Sequence, residues 1–165
     1  MAPGGDPGTV VSMTTTTQPT QPTTSTTPAL HDPPLPVRAK LAAAWASFMF
    51  FYIYVDYLHL YKPGAVDDIL SGVVFEFDIS QTFVVVSLAL VGVPGLMILL
   101  SAALPARASR MLNLVVALLY VPVSAFNLAG ESWWYFYGLG ALVEIVLLGF
   151  IIRSAWTWPR TATLP

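Results

Sequence analysis

Residues 41–60 read LAAAWASFMFFYIYVDYLHL, and every position is apolar except Ser47, Asp56 and His59. At ~1.5 Å of rise per residue, such a run makes a helix of about 30 Å, the thickness of a bilayer's hydrocarbon core. Three more runs have this character, at 83–104, 111–130 and 133–152. No water is available at that depth, so the backbone must satisfy its own hydrogen bonds, and helices are the form that does so locally. The expected fold is therefore all-α: an integral membrane four-helix antiparallel bundle. With 56% hydrophobic and only 10% charged residues, the 165-residue chain has the composition such a bundle needs.

The segment before the first span differs in kind. Residues 1–36 contain the run TTTTQPTQPTTSTTP, which is too poor in apolar side chains to offset its own ordering entropy. A disordered N-terminal tail is expected there rather than a signal peptide, since no basic region precedes an apolar one. Met13 is an alternative start to Met1. The transmembrane domain is expected over 37–158, with a short C-terminal tail at 159–165.

Charge sets the expected orientation. Arg38 and Lys40 precede the first span, Arg107 and Arg110 fall between the second and third, and Arg153 and Arg160 follow the fourth. Lys62 alone occupies the alternate loops, beside Asp67, Asp68, Glu76 and Asp78. Basic residues are retained on the cytoplasmic side, which predicts a multi-pass protein of the cell (plasma) membrane with both termini cytoplasmic. Trp156 and Trp158 then mark the inner interface, and Tyr57, Tyr61, Trp133 and Trp134 the outer one. The loop over 61–82 is long enough for structure of its own. Pro63-Gly64 ends the first helix, AVDDIL suits one helical turn and FEFDIS alternates like a short strand. An interfacial flap over the outer mouth of the bundle is expected.

Helical periodicity sorts the polar residues. Trp45, Met49, Tyr52, Asp56 and His59 make one stripe on the first span, and Asn113, Ala117, Tyr120, Ser124, Asn127 and Glu131 make another on the third. Glu144 stands near the middle of the fourth span, one turn beyond Gly140 and Ala141, which leave room for close helix approach. An ionised group at mid-bilayer costs on the order of 2.5–3.5 kcal/mol, so these stripes are expected to face protein or water. Depth places Glu144, Tyr120 and Tyr52 in one layer, Asp56, Asn127 and Tyr137 in a shallower one, and His59 with Glu131 at the rim. The result is a polar column whose floor is Glu144. Its candidate binding or proton-carrying residues are Glu144, Asp56, His59, Tyr52, Tyr120 and Asn127. Asn113, Ser124 and Asn127 also suit plain interhelical hydrogen bonding, and Asp56 a surface or capping role beside Lys62. Pro94 and Pro122 interrupt the second and third spans and predict kinks near the midplane.

Over Arg38 to Trp158 the sequence resembles a family of small prokaryotic four-span membrane proteins of unknown function. The residues that carry the likeness are Lys40-Leu41, Trp45, YVDYL at 54–58, Pro63-Gly64, Gly72, Arg107, Arg110, Asn113 and Val143-Glu144-Ile145. A looser likeness is to the DoxX-like membrane proteins. The resemblance implies four spans and draws attention to Asp56 and Glu144, but implies no activity.

Absent residues narrow the function. There is no cysteine, which removes thiol redox, thiolate metal sites and thiol nucleophiles, and the two histidines include His31 in the tail. No cofactor or metal site is expected. No phosphate-cradling loop or nucleophile arrangement is present, so an enzyme is the least favoured reading. A net charge of −2 without a basic patch sets nucleic acid aside. Two readings remain. One is a bundle that binds or moves a small solute, lipid or proton through the polar column. The other is a structural or accessory protein packed against a larger membrane partner. Besides the lipid bilayer, the expected partner is a second copy in a homodimer or that larger protein.

Overall fold

Proline decides where the first helix begins. Pro33, Pro34 and Pro36 cannot continue a helix toward the N-terminus, and α1 starts directly after them at Val37–His59. The computed structural model describes residues 33–159 and the isolated Gly4. Most of the expected tail, with His31 and Arg160, lies outside the described residues. The chain continues through α2 (Ala65–Leu70), strands β1 (Val73–Val74) and β2 (Phe77–Asp78), and then α3 (Gln81–Ala103), α4 (Ala106–Phe126) and α5 (Trp134–Trp156). The helices α1, α3, α4 and α5 are each long and apolar enough to cross a membrane.

Only Leu104 and Pro105 separate α3 from α4, so these two pack as antiparallel neighbours. Around the bundle, α1 lies against α3 and α5, and α4 against α5 and α3. The faces of α1 and α4 meet across the middle through their side chains. Trp45 packs edge-on to Tyr120 at 6.3 Å between ring centres, and Phe48 does the same at 5.9 Å. The inward stripes expected from periodicity are buried where they meet: Trp45, Met49 and Tyr52 on α1, and Asn113, Ala117, Tyr120 and Ser124 on α4. Apolar side chains such as Leu88, Leu96, Leu118 and Leu142 point outward, as a lipid environment requires.

Both prolines lie inside continuous helices, Pro94 in α3 and Pro122 in α4. Pro94 has no N–H for the Leu90 carbonyl one turn before it. The Tyr120 hydroxyl donates to that carbonyl instead, so α4 completes the backbone of α3. Near the end of the bundle where α1 begins, Asn113 ties three helices together. Its Oδ1 accepts from Trp45 Nε1 at 2.7 Å and Ser101 Oγ at 3.1 Å, while its Nδ2 donates to the Ser109 carbonyl at 2.8 Å. Arg110 Nε caps the last turn of α5 by donating to the Ala155 carbonyl.

The third span departs from the expected bounds. The third span runs Ala106–Phe126, not 111–130, and Asn127 caps it. Hydropathy reads NLAG as more helix, but Gly130 adopts φ +79°, a turn conformation. The loop after α1 forms the expected helical turn and strand, with β1 added: Val73 pairs with Asp78 and Val74 with Phe77 in a small antiparallel hairpin.

Candidate functional site

At the end where α2 and the hairpin lie, α1, α4 and α5 border a cavity of about 230 Å³. Helix α1 contributes Tyr52, Asp56 and His59, the successive members of its stripe. Ser124 and Asn127 come from the end of α4, and Tyr137, Ala141 and Glu144 from α5. The hairpin borders the upper end with Val74, Phe75 and Phe77. Five of the six candidate residues thus share one cavity. Tyr120 does not line it, because its hydroxyl is committed to Leu90 in the layer beneath.

That layer gives the cavity a floor. Its lining stops at Tyr52, Ser124 and Glu144. Below them Trp45, Phe48 and Tyr120 fill the bundle, with Trp45 and Phe48 5.6 Å apart edge to face. All three are 5% exposed or less. The polar column is a pocket with one open end, not a path through the molecule.

Two buried polar groups meet on the floor. Glu144 is 3% exposed, and its carboxyl makes no hydrogen bond or ion pair among the described residues. Ser124 is fully buried and approaches the Glu144 carboxyl from α4, close enough to interact with it, but its hydroxyl makes no hydrogen bond of good geometry among the described residues. A buried polar atom without a good partner is costly, on the order of 1–3 kcal/mol, so the Ser124 hydroxyl facing this space calls for something to fill it. Asp56 opens onto the same cavity, and it too has no ion-pair partner. It does not pair with Lys62.

Lys62 instead forms a 2.7 Å ion pair with Glu131, clasping the end of α1 to the turn between α4 and α5. Its Nζ lies 5.6 Å from the centre of the Tyr137 ring. The Tyr137 hydroxyl is in turn hydrogen-bonded to His59 Nδ1. Asn127 reaches Tyr52 at 3.4 Å. These pairings shift the expected layers: Tyr137 joins His59, Asn127 joins Tyr52, and Glu131 joins Lys62. The cause is the chain beyond α1. It turns over at Leu60–Lys62, so Lys62 rather than His59 reaches the 131 position.

The sequence reading expected a flap from this loop over the mouth, but not the seat of Phe75. Phe75 holds φ +58°, a left-handed conformation that a bulky residue adopts only when its surroundings hold it there. Its ring lies against Gly130, where an added Cβ would come within 3.1 Å. The signal was present in Gly130 itself, a residue that admits both a positive φ and a close neighbour. Above Phe75 lies a second chamber of about 190 Å³, bounded by Lys62, Asp68 and Ile69. His59, Val74, Phe75 and Glu131 are the wall common to both.

Residues 37–164 match the family of unknown function DUF6326. The chain belongs to this family. The match spans all four membrane helices and every cavity residue, while the looser likeness to DoxX-like proteins is not shown. No curated protein and no solved structure matches the chain.

Proposed function

We propose that this member of the DUF6326 family is a multi-pass membrane protein that binds a small solute in its one-ended cavity. The observation that carries the reading is the floor of the cavity, where the buried Glu144 carboxyl and the Ser124 hydroxyl, which has no hydrogen bond of good geometry among the described residues, face about 230 Å³ of space. An ionisable residue inside a membrane bundle is costly, and such residues mark sites where a ligand or ion is handled. The lining is also mixed in the manner of a ligand pocket, with aromatic walls and a few polar groups that fix orientation. Binding, rather than passage, is the activity favoured by the aromatic floor.

The positive-inside bias puts both termini in the cytoplasm and the cavity mouth on the opposite face of the cell membrane. The test is native mass spectrometry of gently extracted wild-type protein beside Glu144→Gln. A small molecule retained by the wild type and lost from the variant is the expected result. Equal retention by both would remove Glu144 from the site. A wild type that carries nothing, even after incubation with a cell metabolite extract, would count against binding altogether.

A second reading draws on α3, which fully buries only Pro94, Met97 and Ser101, half-buries Val91, Ile98 and Leu100 against the core, and exposes Val84, Val85, Leu88, Leu96 and Leu99. That face suits an accessory protein seated against a larger membrane partner. It predicts a stoichiometric protein companion that survives mild extraction and is indifferent to Glu144→Gln.

A further inference from the structure

The chemistry of the cavity narrows the class of ligand. Three carboxylates border it, Asp56, Glu131 and Glu144. Glu131 is already matched by Lys62. Asp56 and Glu144 have no cation opposite them, and neither lysine nor arginine contributes to the lining. His59 is the sole basic group there, and its Nδ1 is engaged with Tyr137. An anionic ligand would meet two carboxyls and find no compensating charge. A cation would relieve both.

The walls add the second half of the argument. The rings of Tyr52, Phe75, Phe77, Phe126 and Tyr137 surround the same space. Aromatic faces attract cations within ~6 Å of the ring centre, and most strongly where water is excluded. A bare metal ion is a poor match, because it needs several oxygen ligands at short range and no group of three or more acidic or histidine side chains is arranged to supply them among the described residues. Size sets the remaining limit. A 150 Å³ cavity holds benzene, so about 230 Å³ holds in proportion a ligand of about nine non-hydrogen atoms.

We propose that the ligand is a small organic ammonium ion, held with its charge between Asp56 and Glu144 and its apolar body against the aromatic walls. The inference rests on the binding reading above and gives that site its substrate class. Ser124 then serves as an acceptor beside Glu144, which accounts for its unpartnered hydroxyl.

The test compares three probes of nearly equal size that differ in charge: phenethylammonium, 2-phenylethanol and phenylacetate. Each is titrated into the full chain in lipid nanodiscs and followed by calorimetry. The ammonium is expected to bind at least tenfold more tightly than the alcohol, with phenylacetate weakest. In Asp56→Asn the preference for the ammonium over the alcohol shrinks severalfold. The wild-type series stands without the variant, should the variant fold poorly. If the alcohol or phenylacetate binds as well as the ammonium, the cation inference is overturned while the site itself stands. If none of the three binds, both the inference and the binding reading fall.

Discussion

Asn113 is the residue on which the closed half of the bundle converges. It is fully buried, and its single amide serves Trp45 on α1, Ser101 on α3 and Ser109 on its own helix. An isolated interhelical hydrogen bond in a membrane averages only ~0.6 kcal/mol, because the separated helices find other partners. Asn113 has more at stake, since its loss strands the Trp45 N–H and the Ser101 hydroxyl together. Asn113→Leu keeps the volume and removes the amide. The expected loss is about 1–3 kcal/mol in reversible unfolding from mixed micelles. A loss no greater than the average single bond would reduce Asn113 to ordinary packing. Periodicity alone put this residue on the inward face, together with Tyr120 and Glu144. What periodicity could not assign was the partner. Tyr120 was expected to point into the polar column, and instead its hydroxyl completes the Leu90 carbonyl. That outcome follows from Pro94, which leaves the carbonyl four residues before it without a donor, so the clue lay on another helix.

Between elements, α1 and α5 approach closely at Gly140. A Cβ built there would stand 2.7 Å from Val55 Cγ2, closer than carbon atoms tolerate. Val55 is β-branched and stiff within a helix, so it cannot swing aside, and the helices themselves would have to part. Gly→Ala in a helix interior ordinarily gains up to about 1 kcal/mol. Here the sign is expected to reverse, with Gly140→Ala costing about 1–3 kcal/mol as overpacking does. Val55→Ala should restore most of that loss in the double variant, and a strong coupling in the thermodynamic cycle is the deciding observation. Additive effects would mean that α1 and α5 do not depend on this contact. Because Val55 and Ala141 both line the cavity, Gly140→Ala should weaken ligand retention as well. The sequence pointed to Gly140 and Ala141 as a place of close approach, since small residues say that a neighbour comes near. They do not say which neighbour. The order of helices around a bundle is fixed by all four faces at once, and only the folded chain gives α1 as the partner. The hairpin is the opposite case: alternation marked the FEFDIS strand, but the two residues of β1 leave too short a pattern to read, so the pairing and the seat of Phe75 on Gly130 escaped notice.

For the whole molecule, sidedness decides from which compartment a ligand reaches the cavity. The mouth lies at the end occupied by α2 and the hairpin, and the aromatic layer of Trp45, Phe48 and Tyr120 separates it from the other end. Basic residues gather at that other end, with Arg38 and Lys40 on α1, Arg107 and Arg110 on α4, and Arg153 on α5. Lys62 is the exception, and its charge is matched by Glu131. On the proposed reading, this bias predicts that the mouth faces away from the cytoplasm. The chain offers a direct measurement, because it contains no cysteine and any introduced thiol is the sole target. Glu76 is exposed at the hairpin turn, and Ala106 is exposed at the start of α4. In intact cells a membrane-impermeant maleimide should label Glu76→Cys and spare Ala106→Cys, and permeabilised cells should yield label at both. The reverse pattern would put the mouth in the cytoplasm and make the ligand an intracellular one. The cavity chemistry would be untouched by that result, since Asp56, Glu144 and the aromatic walls face the same space in either orientation. Its consequence would fall on the source of the ligand: an environmental solute captured at the cell surface in the first case, a metabolite of the cell in the second.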